Sequence, residues 1–189
     1  MKKLWYLFRL IISGIQFDIK SGRIWSSIFI GFANILPDLI MFAYIRPLLW
    51  RMAGASIPIC GGCAIRKNVW IDFPQNFNCG SNVSINRGTI ISAHGGVTVE
   101  CNVAISFYVG IHSIYHQGVK HEIDVINPIL IKSGAIIYSH ALLLPGCVVN
   151  NRAVISAGSI LAGEALADHV YRGNPARKVI KRSDLGKEF

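Results

Sequence analysis

The chain has 189 residues, of which 52% are hydrophobic and 15% are charged, and its net charge is +9. This composition excludes a disordered chain and is sufficient for one sizeable domain. The positive charge alone would suit nucleic acid, anionic lipid or a phosphorylated cofactor. Basic residues concentrate toward both ends of the chain, and no helix-turn-helix, zinc-finger or RNA-binding signature is present, which argues against nucleic acid.

Residues 1–56 make up the first predicted unit, an apolar segment that we expect to be helical. Phe8, Ile11 and Ile15 recur at helical spacing near its beginning, and basic residues flank them. No small-x-small cleavage site follows this run, so it is not predicted to be a cleaved signal peptide. Together with an odd number of cysteines, five, this indicates a reducing, cytoplasmic location.

The stretch 28–45 approaches the length of a membrane span. Its only charged residue is Asp38, which follows Pro37. About 20 apolar residues are needed to cross a bilayer, but proline kinks a helix and a carboxylate is costly in lipid. We therefore favour helices that cap the first coil and contact the inner face of the cytoplasmic membrane through residues 1–50. A true span and purely intramolecular packing are the alternatives.

The region 57–166 carries a six-residue period, which fits neither a helix nor a simple strand. It fits a parallel β-helix in which three hexads close one triangular turn, with each large aliphatic side chain inside and a small residue at the corner four positions later. The predicted fold class is therefore an all-β solenoid. The expected inward aliphatics are Ile59, Ile65, Ile71, Ile85, Ile91, Val97, Val99, Ile105, Ile111, Ile129, Ile131, Ile137, Leu143, Val149, Ile155 and Leu161.

The period stops at residues 112–127, where polar and aromatic residues replace the aliphatic ones. We expect an excursion loop there, and long loops on regular scaffolds often carry function. After residue 166 the period ends, and residues 167–189 are predicted to form a turn and a basic tail.

Two of the cysteines, Cys60 and Cys63, have the spacing of metal ligands. A zinc site would need two further ligands. The separation of Cys79 and Cys101 is not a whole number of three-hexad turns, so we expect neither to stack with the pair. We therefore predict no metal and interpret the cysteines as small thiols inside the coil.

The hexads and three further motifs resemble the hexapeptide-repeat acyltransferases, most closely the galactoside and maltose O-acetyltransferase group. These motifs are the segment 80–86, the loop after Ile105 that contains His116, and the ending Gly-Asn-Pro-Ala at 173–176. The resemblance covers roughly residues 57–182 and implies a left-handed β-helix, a homotrimer and acetyl-CoA as the acyl donor. The segment 1–56 looks more like that of O-acetyltransferases for bacterial surface polysaccharides such as capsule, exopolysaccharide or lipopolysaccharide.

The resemblance also implies a catalytic base. A sugar hydroxyl is a poor nucleophile until a base removes its proton, and a histidine suits this role. Among the six histidines, His116 matches the family's catalytic histidine, with His112 and His121 in the same loop as alternatives. Either Glu122 or Asp124 would orient the ring.

Further site residues follow from the same resemblance. Asn86 matches the acceptor-binding asparagine, with a coil-stacking asparagine as the alternative reading. The backbone N–H of Ser139 matches the donor to the tetrahedral intermediate, and Ala157 would lie by the pantetheine arm of CoA. Three basic residues would meet the CoA phosphates or form a solvated basic end: Arg177, Lys178 and Lys181.

Three positions depart from the family pattern. Ile136 replaces a frequent tryptophan, and Tyr138 and Lys132 replace glycines. Tyr138 would narrow the thioester channel or stack on an acceptor, so the acceptor and acyl group stay open.

The alternatives to a sugar O-acetyltransferase are a non-acetyl acyltransferase and a non-catalytic, membrane-associated β-helix scaffold. A γ-type carbonic anhydrase would need three zinc-binding histidines across subunits, and the histidines here are not spaced in that way.

Overall fold

The computed structural model describes residues 2–117 and 123–185. Three α-helices come first: α1 (Lys2–Lys20), α2 (Arg23–Ile35) and α3 (Ile40–Met52). Within the described ranges, none of these helices combines the length and the hydrophobicity that crossing a bilayer requires. A parallel β-solenoid of about five turns follows, so the predicted fold class with its helical first segment is confirmed.

Each turn adds one short strand to each of three parallel sheets, which we call faces 1, 2 and 3 in the order the chain visits them. Face 1 contains β1 (Ala64–Ile65), β4 (Ser84–Ile85), β7 (Ala104–Ile105), β12 (Ile136–Ile137), β15 (Val154–Ile155) and β18 (His169–Gly173), followed by the antiparallel β19 (Ala176–Lys181). Face 2 contains β2 (Trp70–Asp72), β5 (Ile90–Ser92), β8 (Gly110–His112), β13 (Leu142–Leu143) and β16 (Ile160–Leu161). Face 3 contains β3 (Phe77–Cys79), β6 (Val97–Val99), β11 (Ile129–Ile131), β14 (Val148–Val149) and β17 (Glu164–Ala165).

The interior of the solenoid is a set of stacked aliphatic columns. On face 1, Ile85, Ile105, Ile137 and Ile155 occupy matching positions on successive turns, and all four are buried. Burying one such side chain stabilises the fold by about 1.5–3 kcal/mol. The small corner residues predicted from the sequence are also buried: Ala135, Ala141, Cys147, Ala153, Ser159 and Ala165.

The first turn departs from the predicted period. Ile59 was expected inside, but 72% of it is exposed, whereas Ile57 is buried. The reason is that Ser56 pairs with Asn78 on face 3, which directs Ile57 inward, and a turn that begins at Pro58 then interrupts the six-residue step. Regular hexads start only with β1.

The early turns are longer than the three hexads assumed for the cysteines. Ala64 pairs with Ser84, so one turn there spans more than three hexads. The expectation that Cys79 would not stack with the pair is therefore wrong, because its Sγ lies 4.0 Å from the Sγ of Cys63. Burial first, and the neighbouring Cys63 thiol second, raise the pKa of Cys79 well above its ordinary value. Within residues 2–117 and 123–185, no group of three or more His, Cys, Asp or Glu side chains is placed to hold a metal ion.

The helices dock on the first turns of the solenoid through two polar anchors. The buried Arg46 donates hydrogen bonds to three carbonyls at the end of α2 and in the α2–α3 connection, and to the carbonyl of Ile65. Burial lowers the pKa of Arg46. Asp38 forms ion pairs with Arg66 (3.1 Å) and Arg87 (2.6 Å). The carboxylate that looked costly in lipid therefore joins the helices to the β-helix.

The last described residues extend face 1 beyond the end of the hexads. β18 pairs in parallel with β15, and β19 returns antiparallel to β18. The turn between them contains a cis Asn174–Pro175 peptide bond. The segment after residue 166 thus covers the last turn of the solenoid with a hairpin, and the described part of the predicted basic tail lies on it.

Candidate active site

The excursion leaves the solenoid at the edge between faces 2 and 3. It forms an antiparallel hairpin of β9 (Ile114–Gln117) and β10 (Ile123–Ile126), and the chain then enters β11. We call this edge the histidine corner; it comprises the turns 72–76 and 92–96 and the hairpin segments 112–117 and 123–127. Because both ends of the hairpin continue into solenoid strands, the rigid frame fixes where it projects.

Within the hairpin, His116 and Asp124 face each other. They are cross-strand partners, and Nδ1 of His116 lies 2.6 Å from a carboxylate oxygen of Asp124. Both side chains are about half exposed. A carboxylate that accepts the Nδ1–H proton fixes the ring orientation and leaves Nε2 able to accept a proton. Of the two orienting residues considered, Asp124 makes this contact, while Glu122, like His121, lies outside the described residues.

The alternative base His112 lies at the end of β8, where the hairpin begins. It occupies the same rung position as Ser92 and Asp72 on the two preceding turns. Burial lowers its pKa below the ordinary value of 6.5. Protonation of His112 is therefore disfavoured, and this residue lies at the end of a solenoid strand, whereas His116 lies on the projecting hairpin.

One histidine at this corner was given no role by the sequence. The Nδ1 atom of His94 lies 3.1 Å from the hydroxyl of Ser92, and its ring packs on Phe73 with a centroid distance of 4.2 Å. Burial lowers the pKa of His94, and the carboxylates of Asp72 and Asp124 oppose this shift. The six-residue period does not indicate that the early turns are longer than three hexads. This extra length brings positions 72, 92 and 112 into one column.

The second group of predicted residues lies at the edge between faces 1 and 2. We call it the serine corner; it comprises the turns 86–88, 106–108, 138–140 and 156–158. The hydroxyl of Ser139 lies 2.8 Å from that of Ser106. The backbone N–H of Ser139 donates no hydrogen bond to another described backbone group. Tyr138 beside it is 41% exposed, and Ala157 is exposed on the next turn.

Asn86 lies at the serine corner and not beside His116. Its Nδ2 donates a hydrogen bond to the carbonyl of Ile105 on the next turn, at 3.1 Å. This is the contact of a coil-stacking asparagine, which was the alternative reading of this residue. Its match to the acceptor-binding asparagine stays a prediction, and His116 lies at the other corner.

The serine corner also carries an aromatic stack. The rings of Tyr108 and His140 are nearly parallel, with centroids 5.2 Å apart. Both residues have positive φ, which is rare for bulky side chains and marks positions worth a functional interpretation. A Cβ on Gly88 would lie 2.3 Å from the Tyr108 ring, so glycine is required below the stack. The stack places flat rings next to the backbone of Ser139.

The three basic residues predicted to meet CoA lie on the terminal hairpin. Arg177 and Lys178 are exposed near its tip, and the N–H of Gly173 at this tip donates to the hydroxyl of Ser159, close to the serine corner. Lys181 pairs with His169 at the other end of the same strands. The fold thus brings two of the three cations to the serine corner.

The predicted site residues therefore separate into two groups. His116 belongs to the histidine corner, whereas Ser139, Tyr138 and Ala157 belong to the serine corner, and face 2 lies between them. One chain therefore does not bring the predicted base His116 next to the predicted N–H donor of Ser139.

Comparisons with known proteins agree with this fold. No protein-family model matches the chain. The chain is 29% identical over 136 residues to the galactoside O-acetyltransferase of Escherichia coli K12, a match that covers 66% of each protein. It is 26% identical over 149 residues to a protein of the same strain named as a lipopolysaccharide biosynthesis O-acetyltransferase, WbbJ, covering 64% of this chain and 76% of that one.

A solved structure extends the similarity beyond the matched sequence. The hexapeptide-repeat acetyltransferase VCA0836 of Vibrio cholerae, in complex with acetyl coenzyme A, superposes with a TM-score of 0.77 at 18% identity. The superposition covers 87% of this chain and 88% of that one. The chain spans slightly less than two thirds of the length of the E. coli galactoside enzyme. It is thus similar in sequence to galactoside O-acetyltransferase and in fold to the hexapeptide-repeat acetyltransferases, as its hexads and motifs predict.

Proposed function

We propose that this protein is an acyltransferase that moves the acetyl group of acetyl-CoA to a hydroxyl of a sugar. The observation that carries the proposal is the contact between His116 and Asp124 on a hairpin held by the solenoid at both ends. A half-exposed histidine whose Nδ1 is oriented by a carboxylate is suited to general-base catalysis through Nε2. The naming of the E. coli relatives and the acetyl-CoA in the Vibrio cholerae structure support the same reaction class.

The transfer requires few groups. The sugar hydroxyl attacks the thioester carbonyl carbon while Nε2 of His116 accepts its proton. The negative charge that develops on the carbonyl oxygen is met by the N–H of Ser139. When the intermediate collapses, the carbon–sulfur bond breaks and the proton passes from His116 to the sulfur. The products are an O-acetyl ester and free CoA thiol, and no covalent bond to the protein is formed.

We further propose that each site is completed by a second copy of the chain, in a homotrimer. The support is the separation of His116 from Ser139 and Ala157 by one face of the solenoid. If the histidine corner of one copy meets the serine corner of the next, the base lies opposite the N–H donor and the exposed Tyr138. Arg177 and Lys178 then provide fixed cations for the CoA phosphates at the far end of the cleft.

The acceptor that we propose is a bacterial surface polysaccharide or its precursor, acetylated in the cytoplasm. The similarity to WbbJ supports this class of acceptor. The aromatic stack of Tyr108 and His140 offers flat apolar faces beside the proposed thioester position, which suits the C–H face of a sugar ring. Helices α1 to α3 would hold the protein at the inner face of the cytoplasmic membrane.

The direct test is to incubate purified protein with radiolabelled acetyl-CoA and a surface polysaccharide fraction. Base-labile incorporation of label into carbohydrate is expected, and the His116→Ala variant should abolish it while still binding CoA. Tight CoA binding by the wild-type protein without any transfer would favour the non-catalytic scaffold. Transfer of longer acyl groups in preference to acetyl would favour the non-acetyl alternative.

A further inference from the structure

Helices α1 to α3 expose far more apolar surface than any other part of the described chain. Every large apolar side chain of α1 from Leu4 to Ile19 is more than 40% exposed. Ile35 at the end of α2 and Ile40 at the start of α3 are 74% and 69% exposed. Continuous exposed apolar patches of this kind mark a surface that contacts a partner.

The charge on this segment indicates what that partner is. Residues 1–56 contain seven basic and two acidic side chains, and of the basic ones Arg46 is buried and does not reach this surface. Both acidic side chains lie beside arginines: Asp18 is 3.9 Å from Arg23, and Asp38 is held by Arg66 and Arg87. The exposed apolar surface is therefore flanked by cations, which matches an anionic bilayer surface better than a neutral protein surface.

The same surface is continuous with the histidine corner. Arg23, at the start of α2, lies 3.4 Å from the carboxylate of Asp72, and its guanidinium lies 5.7 Å from the Phe73 ring centroid. Phe73 in turn packs on His94. The N–H of Gly95, next to His94, donates a hydrogen bond to the hydroxyl of Ser113 at 2.8 Å, where the hairpin that carries His116 begins.

A groove of about 320 Å³ opens where α1 meets α2, and it is lined by Asp18, Arg23, Ile24 and Ser27. Three kinds of surface follow one another from the helices toward the hairpin that carries His116. These are the apolar surface of the helices, the guanidinium of Arg23, and the polar and aromatic group of Asp72, Phe73 and His94. A lipid joined to a sugar through a phosphate has the same order of chemistry: hydrocarbon, anion, hydroxyls.

We propose that the acceptor is a saccharide carried on a membrane lipid through a phosphate group. The three helices lie on the anionic bilayer, and Arg23 exchanges its long, half-exposed contact with Asp18 for a contact with the phosphate. The sugar then reaches the histidine corner, where His116 takes its proton. This inference rests on the proposed acetyl transfer and adds the class of acceptor. It also places the enzyme after the reaction that attaches the sugar to the lipid phosphate and before the one that releases it.

The experiment uses membranes from cells that lack this gene, purified full-length protein and acetyl-CoA labelled in the acetyl group. Label should enter a butanol-extractable product, move to the aqueous phase after mild acid cleavage of the sugar–phosphate bond, and be released as acetate by mild base. Label found only in water-soluble carbohydrate would overturn the lipid-carried acceptor and leave acetyl transfer standing. Absence of label from both fractions would contradict the proposed function itself.

The bilayer contact has its own matched test. Leu7→Glu/Ile11→Glu replaces two exposed apolar residues on one side of α1, and Ser13→Glu/Gln16→Glu adds the same charge to the same helix without removing an apolar group. In sedimentation with vesicles of phosphatidylcholine and phosphatidylglycerol, the first variant should bind at least about tenfold more weakly than the second. Equal binding of the two variants would overturn the bilayer contact. So would a loss of oligomeric mass in the first variant, because the helices would then contact other copies.

Discussion

The histidine corner and the serine corner interrupt the same repeat in different ways. At the histidine corner the chain leaves the solenoid, and the hairpin lifts His116 and Asp124 away from the core. At the serine corner the chain keeps its register, and only side chains change, with Tyr108 and His140 in positions of positive φ. In the proposed mechanism, the first corner supplies the base, and the second supplies a backbone N–H donor and a flat surface. We infer that neither corner is a complete site. The fold separates the proton acceptor from the N–H donor that would stabilise the negative charge on the thioester oxygen.

The largest effect should come from removing the base at the histidine corner. His116→Ala is expected to lower kcat by about 10²–10⁴-fold and to leave the affinity for acetyl-CoA nearly unchanged, because Nε2 acts on the hydroxyl and not on the donor. Steady-state kinetics and CoA binding measure the two quantities. His169→Ala, on face 1, is the matched control and should keep full activity. If His112→Ala abolished turnover and His116→Ala did not, His112 would be the base.

A smaller effect is expected from the carboxylate that orients this base. Asp124→Ala should lower kcat by about 10–100-fold, since the ring keeps its nitrogen but loses the contact that fixes its orientation. Asp168→Ala removes a similarly exposed carboxylate that pairs with Arg152 at the edge between faces 3 and 1, and it should leave kcat unchanged. Equal kcat values for the two variants would show that Asp124 has no role in catalysis.

At the serine corner, removing two cations of the terminal hairpin should weaken the binding of acetyl-CoA. Arg177→Gln/Lys178→Gln is expected to raise KM for acetyl-CoA by about tenfold or more with little change in kcat, because charge-assisted hydrogen bonds to phosphate contribute before and during the reaction alike. Arg152→Gln is the control for loss of an exposed cation. An unchanged KM would mean that the basic hairpin is only a solvated end of the chain.

The smallest expected effect concerns His112, the partly buried histidine of the histidine corner. Because burial lowers the pKa of His112 below 6.5, the unfolded chain binds this proton more readily than the folded one. Above about pH 6.5 His112 is mostly neutral in both states, and the lowered pKa costs no stability. As the pH falls from there through the lowered pKa, proton binding favours the unfolded chain and the free energy of unfolding decreases. His112→Gln should therefore lose less stability than the wild type between about pH 7.5 and 5.5 in urea unfolding. His94 shifts in the same direction, so some decline should persist. An identical decline in both proteins would contradict this assignment.

The sequence predicts the regular part of the fold well because the six-residue pattern reports local geometry. Each inward aliphatic from Ile131 to Leu161 meets its copy one turn away, and all of those predicted positions are buried. Ile59 fails for a different reason, since its segment follows the docking of α3 and the pairing of Ser56 with Asn78, neither of which leaves a periodic signal. The partners of Asp38 could not be predicted for the same reason, because Arg66 and Arg87 lie on the solenoid, far along the chain.

Site residues that belong to a sequence motif could be predicted. Site residues that are brought together only by the length of the solenoid turns could not. His116 follows from the match in the loop after Ile105, and the choice of Asp124 needed the register of the hairpin. His94 and Asp72 depend on turns longer than three hexads, which the six-residue period does not indicate. The distribution of the site over two corners depends on which face each motif occupies.

The central claim is that one site takes its base from one copy and its donor cleft from another. His116→Ala removes the base, and Ala157→Trp fills the exposed position expected beside the pantetheine arm. Trimers that contain both variants, isolated through two different affinity tags, hold one site of three with an intact His116 facing an intact Ala157. The measurement is the acetyl-transfer rate of these mixed trimers against each variant alone. We predict about one third of wild-type activity in the mixed trimers and almost none in the parents; mixed trimers as inactive as the parents would contradict a site shared between copies.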